Sequence, residues 1–221
     1  MKTRLAPDLS HEVAATLYRA FLLDAIDLYA SLVPEAEPVL YLTDGRDLEP
    51  MRELMLQTAD PGAVSIRVQR GDGLGERLEL AFEEAFADGC TAACAIGTDH
   101  PTLPLGYVRD ALASVGGEDA PYDLAVGPAD DGGYYLIAMN SPHPELFRGM
   151  PYSTPGLYAA TMAAARSGRL RALELPLWYD VDDAASLRRL LADRSLLMPG
   201  SRTSGVLDLL ELPGGEKSSD A

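Results

Sequence analysis

The sequence predicts an α/β fold, one domain on a mostly parallel sheet with helices on both faces. Three observations carry this. Short apolar runs alternate with helix-period stretches along nearly the whole chain, as in successive βαβ units. Several runs are apolar throughout, as strands covered on both faces are. The 221 residues suit one large domain, and neither an internal repeat nor an interdomain linker divides them.

The elements follow in order. Ala14, Leu17, Tyr18, Phe21, Ala25, Leu28 and Leu32 recur at helical spacing, so Ser10 to Leu32 reads as a helix with Ser10 as its cap. Val39 to Leu42 is a buried strand, Leu48 to Leu56 a helix and Val64 to Gln69 a strand. Gly71-Asp72-Gly73-Leu74-Gly75 is a tight loop before a helix over Glu76 to Ala87. Thr91 to Gly97 is a strand of small residues, and Pro104 opens a helix to about Val115. Leu124 to Gly127 and Tyr134 to Met139 are strands, the second giving a small antiparallel portion. A helix over Thr154 to Arg166, a strand over Leu170 to Leu175 and a helix over Asp183 to Ala192 complete the pattern. Residues 1–196 therefore form the domain and 197–221 a peripheral segment. Within that segment Leu207 to Leu212 is one short docking element, and the polar end from Pro213 is disordered.

Composition excludes several classes. No window approaches the ~18 unbroken apolar residues of a membrane span. Met1-Lys2-Thr3-Arg4 lacks the apolar core of a signal peptide, so a cytoplasmic protein is expected. Cys90 and Cys94 are too few for a disulfide framework and are read as small buried apolar residues. A net charge of -16 leaves no basic footprint for nucleic acid. An anionic ligand would have to meet a metal ion, helix N-termini or a few Arg and Lys side chains.

Four segments can carry chemistry. Gly97-Thr98-Asp99-His100-Pro101 follows the carboxyl end of a buried strand, where open α/β sheets bind ligands. Asp99 there either holds Mg²⁺ or Mn²⁺, hard ions that prefer oxygen, or caps the next turn. His100 is either a metal ligand or base or, as the simpler reading, a solvent-facing loop residue. In Asp130-Asp131-Gly132-Gly133-Tyr134-Tyr135 the glycines allow close backbone approach and the acids can bind hydroxyls; a polar turn is the simpler reading. Asp180 and Asp182 share one side if Trp178 to Asp183 is extended, and Asp182 or Asp183 can cap the helix that follows. The acid left over is a candidate second metal ligand. Gln69 with the Gly71–Gly75 loop can accept a phosphate or a base edge, although the loop lacks Walker spacing. Ser153 or Thr154, with Pro155 in the first turn, reads as a helix cap. Three His and two Cys give no zinc pattern, and no Ser-His-Asp order is apparent.

Taken in order, Lys2 to Pro7, Gln69 to Arg77, Gly97 to Pro104, Gly127 to Tyr135, Tyr152 to Pro155 and Asp180 to Asp182 resemble bacterial GT-A-type transferases. These are called selenodomain- or radical-SAM-associated transferases, and some are labelled arsenosugar-biosynthesis glycosyltransferases. The resemblance implies a Rossmann-like nucleotide-diphospho-sugar transferase fold. It is more distantly similar to guanylyltransferases of molybdenum-cofactor and phospholactate type. By that resemblance Asp99 is the principal metal aspartate and Asp182 a second contact for Mg²⁺ or Mn²⁺. Gln69, Leu74 and Gly75 face the nucleobase, and Lys2 and Arg4 end a phosphate-binding loop. On the residues themselves, Gly132, Gly133 and Tyr134 are candidate substrate contacts, and Asp131 is the candidate catalytic residue, for sugar or acceptor contact or as a general base. The implied activity is glycosyl transfer from a nucleotide sugar to a small acceptor; nucleotidyl transfer from an NTP and a non-catalytic binding role are the alternatives. The family carries an apolar strand and a Pro-Gly loop before its Lys-Thr-Arg segment. This sequence opens on that segment: either its start is misplaced or trimmed, or the strand is absent.

Overall fold

A computed structural model describes residues 9–210. Helix α1 (His11–Ala30) is capped by Ser10, whose hydroxyl accepts the Val13 amide at 3.2 Å. It leads to β1 (Val39–Leu42), α2 (Leu48–Met55), β2 (Ser65–Val68), α3 (Leu74–Ala87), β3 (Ala93–Ile96) and α4 (Leu105–Val115). Then come β4 (Leu124–Pro128), β5 (Tyr134–Met139), α5 (Leu157–Ser167), β6 (Ala172–Glu174), α6 (Ala184–Ala192) and α7 (Arg202–Leu209).

The strands form two sheets. β1 and β2 pair in parallel, and a four-stranded sheet has the order β3-β5-β4-β6. β5 is antiparallel to both neighbours, whereas β4 and β6 are parallel. Three strands of that sheet therefore share one direction, and the reversed β5 lies inside it. The short turn from β4 to β5 is the reason, because a parallel return needs a crossover of a dozen residues or more. The mostly shared strand direction and the antiparallel portion beginning at Tyr134 agree with the sequence reading; the division into two sheets departs from the single sheet expected. No strand joins β1 to β3 among the described residues.

The strand residues explain why helices cover both faces. Ala125, Leu136, Ala138, Cys94 and Ile96 pack with Val108, Ala111 and Val115 of α4 and with Tyr29 of α1. Their neighbours Leu124, Val126, Ile137, Met139, Ala93 and Ala95 pack with Phe82 of α3 and Ala165 of α5. This is period-two alternation with an apolar residue at every step. α1 also spans the smaller sheet, where Leu22 and Ile26 meet Leu40, Ile66 and Met55. On the other side, Tyr41 and Arg67 reach Glu84 of α3.

Several boundaries differ from the sequence reading. α5 begins at Leu157 rather than Thr154, because Ser153 adopts φ 60° and the Thr154 hydroxyl accepts the Gly156 amide, closing a turn before the helix. Cys90 is exposed and not buried; Cys94 is half-buried. After Leu196, where a peripheral segment was expected, α7 packs on α1, and Leu197 and Leu207 join a cluster with Leu17 and Phe21. The cause is Asp24, a buried carboxylate on α1. It accepts the Arg202 amide at 2.9 Å and the Thr203 amide at 2.8 Å, satisfying two donors that a helix start leaves unpaired. The polar end from Pro213, expected to be disordered, lies outside the described residues.

Replacing Asp24 with Ala is expected to lower unfolding stability by about 2–3 kcal/mol in urea titrations, because two buried amides lose their acceptor. Asp24→Asn, which keeps one acceptor oxygen, should lose less.

Candidate active site

Three chain segments converge at one end of the larger sheet. The first is the loop after β3. Gly97 leaves the strand with its amide donating to Tyr135 at 3.3 Å. A Cβ at Gly97 would stand 2.8 Å from both Asp99 Oδ1 and His100 Nε2, so the close fold-back of Asp99 requires glycine there. The second is the turn between β4 and β5. Gly132 sits at φ 88°, its amide donates to Ala129, and the Gly133 amide donates to Asp131 Oδ1 at 2.8 Å. The polar-turn reading is thus correct locally, and Asp131 closes the turn. The third is the extended stretch from Trp178 to Asp182.

Backbone bonds tie the three together. Trp178 donates to Pro128 and Asp130 donates to Trp178, both at 3.0 Å, while Val181 donates to Asp99 at 3.0 Å. Arg189 of α6 adds a brace. Its guanidinium carbon lies 3.8 Å above the Tyr179 ring, and it donates to Asp130 at 2.8 Å.

The result is an acidic cluster. One carboxylate oxygen each from Asp99, Asp180 and Asp182 lie within 4.8 Å of one another. Asp180 and Asp182 face the same way, as their alternation along an extended stretch predicts. Asp183 serves instead as the cap of α6, accepting the Ser186 amide at 2.8 Å in a capping box. Asp180 is pushed up to about 7, first by burial and then by the charges of Asp131, Asp182 and Asp99. Its Oδ1 is shielded from solvent and has no hydrogen-bond donor among the described residues. An orphaned carboxylate oxygen beside two further carboxylates fits a divalent cation with hard oxygen preference.

His100 corrects its sequence reading. It is 8% exposed, not a solvent-facing loop residue. Its Nδ1 lies 3.1 Å from the Tyr179 carbonyl, which can only accept, so this nitrogen carries a proton. Its Nε2 lies 3.3 Å from Asp99 Oδ1. Polar neighbours at both ring nitrogens are what make burial tolerable. The alternation of acids was legible, but the sequence did not show the burial of His100 or the bracing role of Arg189, because their partners are distant in the chain.

The remaining sequence candidates lie on other elements. Tyr134 opens β5 beside the Asp131 turn; burial and the neighbouring Tyr152 hydroxyl hold it protonated. Gln69 follows β2, its amide donating to Leu42 at 2.7 Å. Leu74 and Gly75 begin α3 and line a separate cavity with Phe147 to Tyr152. Lys2 and Arg4 lie outside the described residues.

A family model described as "Uncharacterized protein conserved in bacteria (DUF2064)" matches residues 30–154, more than half of the chain. The chain belongs to the DUF2064 family. That match includes Asp99 and Asp131 and stops before Asp180 and Asp182. A wider likeness covers them. The crystal structure of a "putative nucleotide-diphospho-sugar transferase" from Desulfovibrio desulfuricans G20 superposes with a TM-score of 0.83 and 31% identity. It covers 95% of this chain and 88% of that one. The fold is therefore that of the nucleotide-diphospho-sugar transferases. No curated protein matches the chain, and no described helix is long and apolar enough to cross a membrane.

Asp180→Asn tests the electrostatics. Between about pH 4, the unfolded value, and about pH 7, folded Asp180 keeps a proton that the unfolded chain has released. Wild-type stability therefore falls as pH rises through this window. The Asn variant should melt above wild type at pH 8 in metal-free buffer, and the difference should close as pH falls towards 4.

Proposed function

We propose that the protein transfers a glycosyl group from a nucleotide-diphosphate sugar to a small acceptor, using Mg²⁺ or Mn²⁺. The observation that carries this is the convergence of Asp99, Asp180 and Asp182, with the Asp180 oxygen left shielded and unpaired. The name of the Desulfovibrio relative and the resemblance to radical-SAM-associated transferases support the same reading.

Asp99, Asp180 and Asp182 would hold the cation. When bound, it neutralises charge developing on the departing diphosphate. His100 fixes the rotamer of Asp99 from behind. Arg189 keeps the Asp130 turn against the Tyr179 segment, so that the carboxylates stay together. Gln69 and the loop after it border the nucleotide side, and Lys2 and Arg4 are the candidate phosphate contacts. Gly132, Gly133 and Tyr134 shape the approach to Asp131. In the transfer, the acceptor hydroxyl oxygen bonds to the anomeric carbon as the bond from that carbon to the diphosphate breaks. Asp131 takes the hydroxyl proton, and the nucleoside diphosphate leaves. Nucleotidyl transfer on the same scaffold would release pyrophosphate from an NTP instead.

Three measurements test the reading. Asp99→Ala should abolish Mn²⁺-dependent binding of nucleotide in calorimetry; unchanged binding would remove the proposed metal site. Asp131→Asn should lower turnover by about 10²–10⁴ while nucleotide affinity stays near wild type. Supplying sugar nucleotides and NTPs separately should yield nucleoside diphosphate from the former and no pyrophosphate from the latter.

A further inference from the structure

The chain between β6 and Asp180 has to be aimed, because its course decides where Asp180 and Asp182 arrive. β6 ends at Glu174, and pairing with β4 resumes at Trp178, which bridges Ala129. Leu175 donates to Val126 at 2.9 Å before this interval closes, and Trp178 donates to Pro128 at 3.0 Å after it. Pro176 lies between them and has no amide to give. Its carbonyl accepts the Tyr135 hydroxyl at 3.0 Å. We propose that Tyr135 is a positioning residue: it holds the foot of the acidic stretch against β5 and so sets the spacing of Asp180 and Asp182 from Asp99. That these acids serve a cation rests on the transferase reading above.

Reach argues first. Tyr135 belongs to β5, whereas Pro176 continues β6 on the far side of β4. Those lines are two strand spacings apart, about 9–10 Å. The ring must pass over β4, and it does so at Gly127, where a Cβ would stand 2.2 Å from Tyr135 Cζ. Any other residue at 127 would close the crossing. The register of β4 and β5 also shifts between Gly127 and Pro128, the kind of irregularity that re-aims a side chain beside a site. Tyr134, its neighbour, packs on the opposite face with Phe82 and takes no part.

Convergence argues second. The Tyr135 carbonyl accepts the Gly97 amide at 3.3 Å, at the root of the Asp99 loop. Its ring meets His100 edge-on at 5.8 Å between centroids, and His100 Nε2 lies 3.3 Å from Asp99 Oδ1. One residue thus touches both arms of the cluster, with backbone and ring on the Asp99 side and hydroxyl on the Asp180 side. Tyr135 is 2% exposed and packed among Leu103, Val108 and Leu175, so its ring cannot follow a wandering loop. Phenylalanine would fill the same space and lack the hydroxyl alone, which separates the bond from the packing.

The test measures amide hydrogen exchange in the full chain without metal. Tyr135→Phe should speed exchange at Trp178 and Val181 about five- to tenfold, the worth of one hydrogen bond. Ala138 in β5 and Thr203 in α7 should keep their wild-type rates. Gly127→Ala keeps the hydroxyl but blocks its route, and should give the same pattern; if it fails to fold, Tyr135→Phe decides alone. Unchanged rates at Trp178 and Val181 overturn the proposal, and so does an equal rise at all of these amides, which would mark a core residue with no aim of its own. Mn²⁺ titration followed by electron paramagnetic resonance judges the cation separately. Where wild type binds Mn²⁺, Tyr135→Phe should weaken it about tenfold, and unchanged affinity also overturns the proposal. A wild type that binds no Mn²⁺ removes the cation reading, while exchange still decides whether Tyr135 holds the stretch.

Discussion

Repulsion between carboxylates is the constraint around which this end of the molecule is built. Asp99, Asp131, Asp180 and Asp182 come from three segments distant in the chain, and like charges so placed would separate in an unsupported loop. Backbone bonds from Val181 to Asp99, from Asp130 to Trp178 and from Trp178 to Pro128 hold them in place. The raised Asp180 carboxyl is the visible cost of that arrangement. The surrounding core carries the restraint: Tyr179 and Val181 are buried among α1, α6 and α7, so the acidic stretch cannot swing outward without uncovering them. Stability is given up at the cluster and recovered in the packing behind it.

The local structure was largely legible in the sequence. Helical spacing from Ala14 to Leu28 and the apolar runs at β1, β4 and β5 correspond to elements because each obeys one period along its length. Asp99 after β3 and the pair Asp180 and Asp182 could be read because position at a strand end and alternation are both local properties. What could not be read depends on partners far along the chain. β5 was expected as antiparallel, but its insertion between β3 and β4 is a matter of tertiary pairing. His100 looks like a loop residue until the Tyr179 carbonyl is placed beside it. α7 has little apolar periodicity of its own and owes its start to Ser201 and to Asp24 on another helix.

The excess of negative charge, -16, sits awkwardly with an anionic donor. The cluster itself resolves part of this. In the proposed reading, carboxylates that would repel a diphosphate would recruit a cation for it, and the loaded site would carry much less negative charge than the empty one.

The division of the sheet has a mechanical meaning. β1, α2 and β2 form a unit whose backbone ladder is complete within itself, and side chains of α1 and α3 pack against it. Such a unit can open without breaking any ladder of the larger sheet, so its amides exchange with solvent at a lower opening free energy than those of β4 and β5. Gln69 and the loop leading to α3 hang from its edge. The carboxylates, by contrast, stand on loops bonded to one another at the end of the larger sheet.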